Sequence, residues 1–234
     1  MNYKLPRSVF TQEISMIVSR EMRKQKLVVS RASKDNLTEI AEISQIIRKS
    51  GIPKYLVCRK LPHNLGRGIF LHPDAEPIVR GQIIAPYAGK VSLTRHDDPS
   101  TGAYSFAPLE KIYLTKEEQA RFDKDNKFHP RRHYSLVIDA VKTGNFTRFI
   151  NHSEKPNVSA CMLSVPSNKL GLEPSFLEVV YIAKRTIHPG EQLLVCYEDE
   201  EESYWGVFKI KPFPMTPKTF RLSSSLRVIK EPNR

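Results

Sequence analysis

The sequence has few cysteines, few glycines and no long apolar run. Cys58, Cys161 and Cys196 are the three cysteines in 234 residues. An odd, scattered set forms neither a disulfide framework nor a CxxC zinc site, so no metal is expected and a reducing compartment fits. No stretch approaches the roughly 20 apolar residues that cross a bilayer, which excludes a membrane partner of the spanning kind. The first thirty residues lack the apolar core of a Sec signal, because Glu13, Arg20, Glu21 and Arg23 interrupt it. A cytoplasmic protein is the expectation, with secretion by machines that read an unstructured N-terminus left open. What is present, 40% hydrophobic and 26% charged residues, suits a globular chain with a core.

The net charge of +12 is unevenly spread. Residues 1–60 carry 13 Lys/Arg against 5 Asp/Glu, and residues 206–234 carry 7 against the single Glu231, which leaves −2 for residues 61–205. A mildly acidic middle lies between two basic flanks. Such flanks suit anionic partners such as chromatin or DNA, and they equally suit plain solvation.

Three regions follow from texture. Residues 1–54 read as a basic helical extension, loosely attached at 1–8. Phe10, Ile14, Ile17, Val18 and Met22 follow helical spacing to about Leu27, and Leu37, Ile40, Ile43, Ile46 and Ile47 form a second apolar stripe. Asn36 with Glu39 three residues later reads as the cap of that second helix, and Gly51 and Pro53 stop it. The two apolar faces must be covered, by the core or by a second subunit in a homodimer. Residues 55–205 turn to short apolar runs broken by Gly and Pro, with strands expected near 55–59, 68–71, 82–87, 137–138, 177–183 and 192–197. An insert at about 97–133 carries a short helix opened by the capping box Thr115 to Glu118. Residues 164–175 read as a surface loop. Residues 206–234, with Pro212, Pro214 and Pro217, form a basic tail that is largely extended or disordered. The fold class is α+β, mainly β with added helices, built from small sheets and not from a βαβ array.

The chain is organised around Gly144-Asn145-Phe146-Thr147-Arg148-Phe149-Ile150-Asn151-His152-Ser153. Buried amide and imidazole groups there need partners, because an unpaired one costs roughly 1–3 kcal/mol. Gly66-Arg67-Gly68, Tyr87-Ala88-Gly89, Pro156-Asn157 and Gly190-Glu191-Gln192-Leu193-Leu194-Val195-Cys196-Tyr197 accompany it in order. Together, over roughly residues 56–205, they resemble the SET-domain protein lysine methyltransferases, and the compact chain resembles the stand-alone bacterial, chlamydial-type members that act on histones.

The resemblance implies the SET β-clip fold with a C-terminal pseudoknot, in which the segment after Tyr197 threads beneath residues 148–153 and brings 144–153 and 190–197 together. It implies S-adenosyl-L-methionine as cofactor, held by Gly66, Arg67, Gly68, Tyr104, Arg148, Asn151, His152 and Trp205. It also implies that Tyr197 and Tyr87 are the catalytic pair, lining a narrow lysine channel. Free lysine has a pKa near 10.4, so deprotonation near neutral pH costs roughly 4–5 kcal/mol. An apolar, aromatic channel lowers that cost by disfavouring the ammonium. The acidic run at 198–202 would attract a basic, histone-like tail. Glu154 stands where many nuclear members have cysteine, and no cysteine cluster follows Tyr197, so a zinc-bound post-SET module is absent and Tyr204 and Trp205 or a second subunit must close the channel. Val195, where an aromatic is frequent, could admit further methyl groups. If the chlamydial likeness holds, a host nucleus is a destination, and an endogenous bacterial nucleoid protein is an equally consistent substrate. The alternative is a basic chromatin- or nucleic-acid-binding protein with a degenerate, inactive SET core.

Overall fold

The structure, a computed structural model, describes residues 4–27, 29–95, 104–123, 127–165, 176–197 and 213–222. In chain order its elements are α1 (Gln12–Lys24), β1 (Ser30–Arg31), α2 (Lys34–Ser50), β2 (Leu56–Lys60), β3 (Arg67–Leu71), β4 (Ile83–Pro86), β5 (Lys90–Arg95), β6 (Ser105–Tyr113), α3 (Lys116–Phe122), β7 (His133–Asp139), β8 (Asn151–His152), β9 (Val158–Val165), β10 (Phe176–Ala183) and β11 (Leu194–Val195). They group into two compact units. One comprises residues up to 51, 83–148 and 160–181; the other comprises 52–82, 149–159 and the chain from 182.

In the first unit each helix starts where a side chain can accept a free N–H. Thr11 Oγ1 accepts from Ile14 N–H at 3.2 Å to open α1. The expected cap of α2 is corrected. Ser33 is the N-cap, its hydroxyl accepts from Asn36 N–H, and Asn36 Oδ1 reciprocates with Ser33 N–H, each at 3.0 Å. Asparagine thus fills the place that Glu or Gln more often takes in the box. Glu39 reaches instead to Ile83 N–H of β4, at 3.1 Å. The box at Thr115 and Glu118 forms as expected.

The helices bury Ile14, Ile17 and Val18 on α1 and Ile40, Ile43 and Ile47 on α2, as the spacing predicts, but Ile46, expected in the second stripe, is exposed because it lies off that face. β5, β7 and β6 make an antiparallel sheet in the order β5–β7–β6, running from Lys90↔Asp139 to Arg95↔Tyr134 on one side. β4 lies beside β10 and β10 beside β9, while β1 joins β9 in parallel at Ser30↔Leu163. β5, β6 and β9 escape the sequence reading for physical reasons. β6 holds Pro108 and shifts register twice, between Phe106 and Leu109 and between Leu109 and Ile112, so its alternation is broken. β9 is half-exposed along most of its length, and Ser159, Ala160, Cys161 and Ser164 interrupt its larger apolar residues.

Residues 4–8 are not loosely attached. Leu5 N–H donates to Gly144 C=O at 3.0 Å, Arg7 Nε lies 3.7 Å from Glu178 Oε1, and Ser8 is buried.

In the second unit β2 and β3 form an antiparallel pair from Leu56↔Leu71 to Lys60↔Arg67. β11 runs parallel to β8, with Leu194↔Asn151 and Val195↔His152, and Val195 also pairs with Val158. The strand expected over 192–197 is therefore only two residues long, because parallel pairing is confined to that crossing. The C-terminal expectation is corrected where it is described. Met215 is buried with Leu61, Phe70 and Leu194, and Phe213, Phe220 and Leu222 pack against them. Pro217 C=O accepts from Gln192 N–H at 2.8 Å and Leu222 N–H donates to Gly190 C=O at 2.9 Å. The remainder of the tail, residues 166–175 of the expected loop, the acidic run at 198–202, Tyr204 and Trp205 lie outside the described residues.

Glu178 on β10 is 4% exposed, and burial pushes its carboxyl up to about 7 while Arg7 opposes the shift. A folded-state pKa raised above the ordinary 4.5 means that the folded chain prefers the protonated acid. Its stabilising share is complete below about pH 4.5 and is lost as pH rises towards about 7. Urea denaturation should show stability falling by up to about 3 kcal/mol across that window. In Glu178→Gln that fall should be absent.

Candidate active site

The second unit brings together Gly66, Arg67, Gly68, Asn151, His152 and Tyr197. Asn151 Nδ2 donates to Arg67 C=O at 2.8 Å, which ties β8 to the start of β3. His152 is buried and its Nδ1 accepts from Tyr197 N–H at 3.1 Å. An acceptor Nδ1 carries a lone pair, so the neutral ring has its proton on Nε2. The rings of His152 and Tyr197 sit 5.5 Å apart, inclined by 45°. The hydroxyl of Tyr197 donates to Ile150 C=O at 2.5 Å, although the residue as a whole is 41% exposed. Its proton is thus committed to the backbone, and a phenol that donates in this way acts towards any other partner as an acceptor.

The two glycines of the 66–68 tripeptide act differently. Gly66 has φ +75° and open space around the place of a Cβ, so backbone conformation selects it. At Gly68 a Cβ would lie 2.6 Å from Gln192 Nε2. The buried Gln192 amide packs against that glycine. The backbone at 66–68 and the half-buried Asn151, which has spare donor and acceptor capacity beyond its bond to Arg67, offer the carbonyl and N–H groups that an amino-acid moiety with both charges needs. That set fits the amino-acid end of S-adenosyl-L-methionine.

Tyr87, Tyr104 and Arg148 belong to the first unit. Tyr87 is buried and its hydroxyl donates to Tyr104 C=O at 2.6 Å. Its ring packs on Phe106 and Tyr181, with centroids 5.8 and 5.7 Å away. Burial raises the phenol far above its ordinary value, with the Arg148 guanidinium pulling weakly the other way. Tyr87 therefore stays protonated and cannot serve as a base. Arg148 is buried, donates to Ala140 C=O and to Val141 C=O, and lies 4.0 Å from the centroid of the Tyr104 ring. These contacts make Arg148 a brace for the 140–148 loop and a cover for one face of Tyr104.

Three residues escaped the sequence argument as individuals. Asn145 is fully buried, donates to Pro86 C=O at 2.8 Å and accepts from Thr147 N–H and Oγ1. Asn157, equally buried, donates to Gln192 C=O and accepts from Leu194 N–H, each at 2.9 Å. Glu191 accepts from Arg185 at 2.9 Å and from His188 N–H at 3.2 Å. Burial alone would raise its carboxyl, but the Arg185 hydrogen bond and these partners hold it below the ordinary value. Asparagine and glutamate inside otherwise apolar motif segments were the available signal.

A short parallel pairing of β8 with β11, with a backbone-tied tyrosine two residues beyond it, places Asn151, His152 and Tyr197 together in a mainly β protein. The family model described as SET domain matches residues 66–198, more than half of the chain, and the chain belongs to the SET-domain family. It is 26% identical over 165 residues to the histone-lysine N-methyltransferase, H3 lysine-4 specific, of Yarrowia lipolytica, covering 70% of this chain and 12% of that protein. It is 37% identical over 123 residues to histone-lysine N-methyltransferase SETD1B of Homo sapiens, covering 53% of this chain and 5% of that protein. The chain thus spans a small fraction of these relatives' length. Among solved structures it is similar to ATXR5 in complex with histone H3.1, with a TM-score of 0.57 and 19% identity over 85% of this chain and 82% of that one. That likeness, with the family match, establishes the α+β SET fold expected from the sequence.

Asn157→Ala should leave Gln192 C=O and Leu194 N–H without their side-chain partner in a buried place, at about 1–3 kcal/mol each. The urea midpoint should fall accordingly. A midpoint within error of the parent would mean that the 192–194 segment is held by its backbone bonds alone.

Proposed function

We propose that the protein is an S-adenosyl-L-methionine-dependent protein-lysine N-methyltransferase acting on a basic, histone-like protein. The observation that carries this reading is the Tyr197 hydroxyl, fixed to Ile150 C=O at the end of the matched SET segment. With its proton committed, the phenol oxygen accepts from the substrate amine and orients the nitrogen lone pair. When bound, S-adenosyl-L-methionine would supply the methyl group from its sulfonium and leave as S-adenosyl-L-homocysteine. The amine must first lose a proton, which water accepts. No side chain with the character of a strong base is needed, in keeping with Tyr87, which burial keeps neutral. Tyr87 is the second channel residue that the family resemblance assigns. Asn151, and the 66–68 backbone that it braces, would hold the amino-acid end of the cofactor. The histone-like substrate is supported by the names of the relatives and by the acidic run at 198–202.

Labelled S-adenosyl-L-methionine, the purified chain and a panel of core histones and bacterial histone-like proteins test the reading. Transfer should be stable to base and should fall roughly 100-fold or more in Tyr197→Phe, with binding of S-adenosyl-L-homocysteine retained. Full activity in that variant would remove Tyr197 from its role. Donor binding without any transfer would set aside the histone-like substrate class. Absence of donor binding, with salt-dependent DNA binding, would favour the inactive chromatin-binding alternative.

A further inference from the structure

The N-terminal residues 5–8, expected to be loose, converge on the turn that carries Tyr87. Ser8 is 5% exposed, and its hydroxyl does two things at once. It donates to Tyr87 C=O at 3.1 Å and accepts from Gly89 N–H at 3.2 Å. One side chain therefore joins the two ends of the Tyr87-Ala88-Gly89 tripeptide from a segment nearly eighty residues away in sequence. Other contacts hold the same turn. Tyr87 N–H donates to Val179 C=O at 2.7 Å. A Cβ on Gly89 would lie 2.5 Å from Asp139 C=O, and one on Gly144 would lie 2.8 Å from Ala88 C=O. Leu5 N–H binds the carbonyl of that same Gly144, and Arg7 pairs with Glu178, the neighbour of Val179. The segment 5–8 thus touches both ends of the turn, the Gly144 loop and β10 at Glu178.

A buried hydroxyl that satisfies a carbonyl and an N–H two residues apart fixes the backbone between them. Without it both groups are left buried and unmet, and the turn must open to water to recover them. Tyr87 has little other freedom, since its phenol is committed to Tyr104 C=O and its ring packs between Phe106 and Tyr181. A shift of the turn would therefore pull the ring from these partners. We propose that Ser8 is a positioning residue for Tyr87, through which the N-terminal segment 5–8 holds the channel tyrosine in its working orientation. This rests on the reading of Tyr87 as a lysine-channel residue given above.

The full chain with Ser8→Ala, and with Ser8→Thr to retain the hydroxyl, tests the proposal by two measurements. Amide hydrogen exchange in the peptide covering residues 85–90 should be about tenfold faster in Ser8→Ala, while exchange in β7 stays as in the parent. With a methyl-accepting histone, kcat should fall about tenfold at an unchanged dissociation constant for S-adenosyl-L-homocysteine. Ser8→Thr should recover both. Unaltered exchange at 85–90 would overturn the clasp, and faster exchange there with full kcat would overturn the positioning role. A uniform loss of protection across β5, β6 and β7 would reduce Ser8 to an ordinary stabilising residue and overturn it as well. If the parent itself transfers no methyl group, the functional reading fails first, and the exchange result still decides whether Ser8 holds the turn.

Discussion

The side chain of Asn157, sealed from solvent, is the interaction on which the second unit depends. Its amide donates to Gln192 C=O and accepts from Leu194 N–H, while its own N–H donates to Leu194 C=O and its carbonyl accepts from Lys184 N–H. Three bonds from one residue fix the 192–194 segment, and a fourth ties the same residue to Lys184. β11 can then lie parallel to β8, a pairing only two residues long that could not hold itself. Ser153 adds to the crossing: its N–H donates to Val195 C=O and its hydroxyl to Met215 C=O. The position of Tyr197, two residues beyond β11, is inherited from this crossing. Parallel pairing by itself brings no hairpin to hold its ends, so side-chain amides and hydroxyls supply what a turn would otherwise provide.

The two proposed channel tyrosines share one device. Tyr87 and Tyr197 each donate their phenol proton to a backbone carbonyl, of Tyr104 and of Ile150 respectively. A backbone acceptor is set by the fold and does not titrate, so it fixes the direction in which each hydroxyl points. That suits a reaction whose nucleophile must be oriented after it has already lost its proton. Burial separates the two residues in degree, since Tyr87 is 5% exposed and Tyr197 is 41% exposed.

Motif residues with unusual chemistry were legible in the sequence, because glycine, asparagine, histidine and tyrosine in that order are constrained by what they bind or how they turn. The helices were legible too, since Ile, Val and Leu at helical spacing left faces that the structure buries. What escaped is the part decided by distant partners. Ser33 caps α2 because Asn36 answers it, although a helical stripe beginning at Leu37 pointed to a later start. β6 hides behind Pro108 and two register shifts. Phe213, Met215, Phe220 and Leu222 sit among prolines and basic residues, a texture typical of loose chain, and reveal their purpose only against Leu61, Phe70 and Leu194. Ser8 had no local signal at all, because its partners are Tyr87 and Gly89.

The basic N-terminal flank also looks different once its contacts are known. Several of its charges serve the first unit itself. Arg7 faces the buried Glu178, and Arg20 and Lys24 both bind the buried Glu21, with Arg20 also bound to Glu118 at 2.6 Å. Even the flank's Glu13 is engaged, with Arg121. A carboxylate such as Glu21, at 1% exposure, is tolerated because two cations and the Tyr113 N–H surround it, and they hold its pKa below the ordinary value against the effect of burial. Cations engaged in this way are poorly placed to release counterions from a polyanion, since binding phosphate would leave a buried acid unpaired. The charge of residues 1–60 is therefore in part the counter-charge of the fold's own interior acids, and its sign alone is weak support for a nucleic-acid partner.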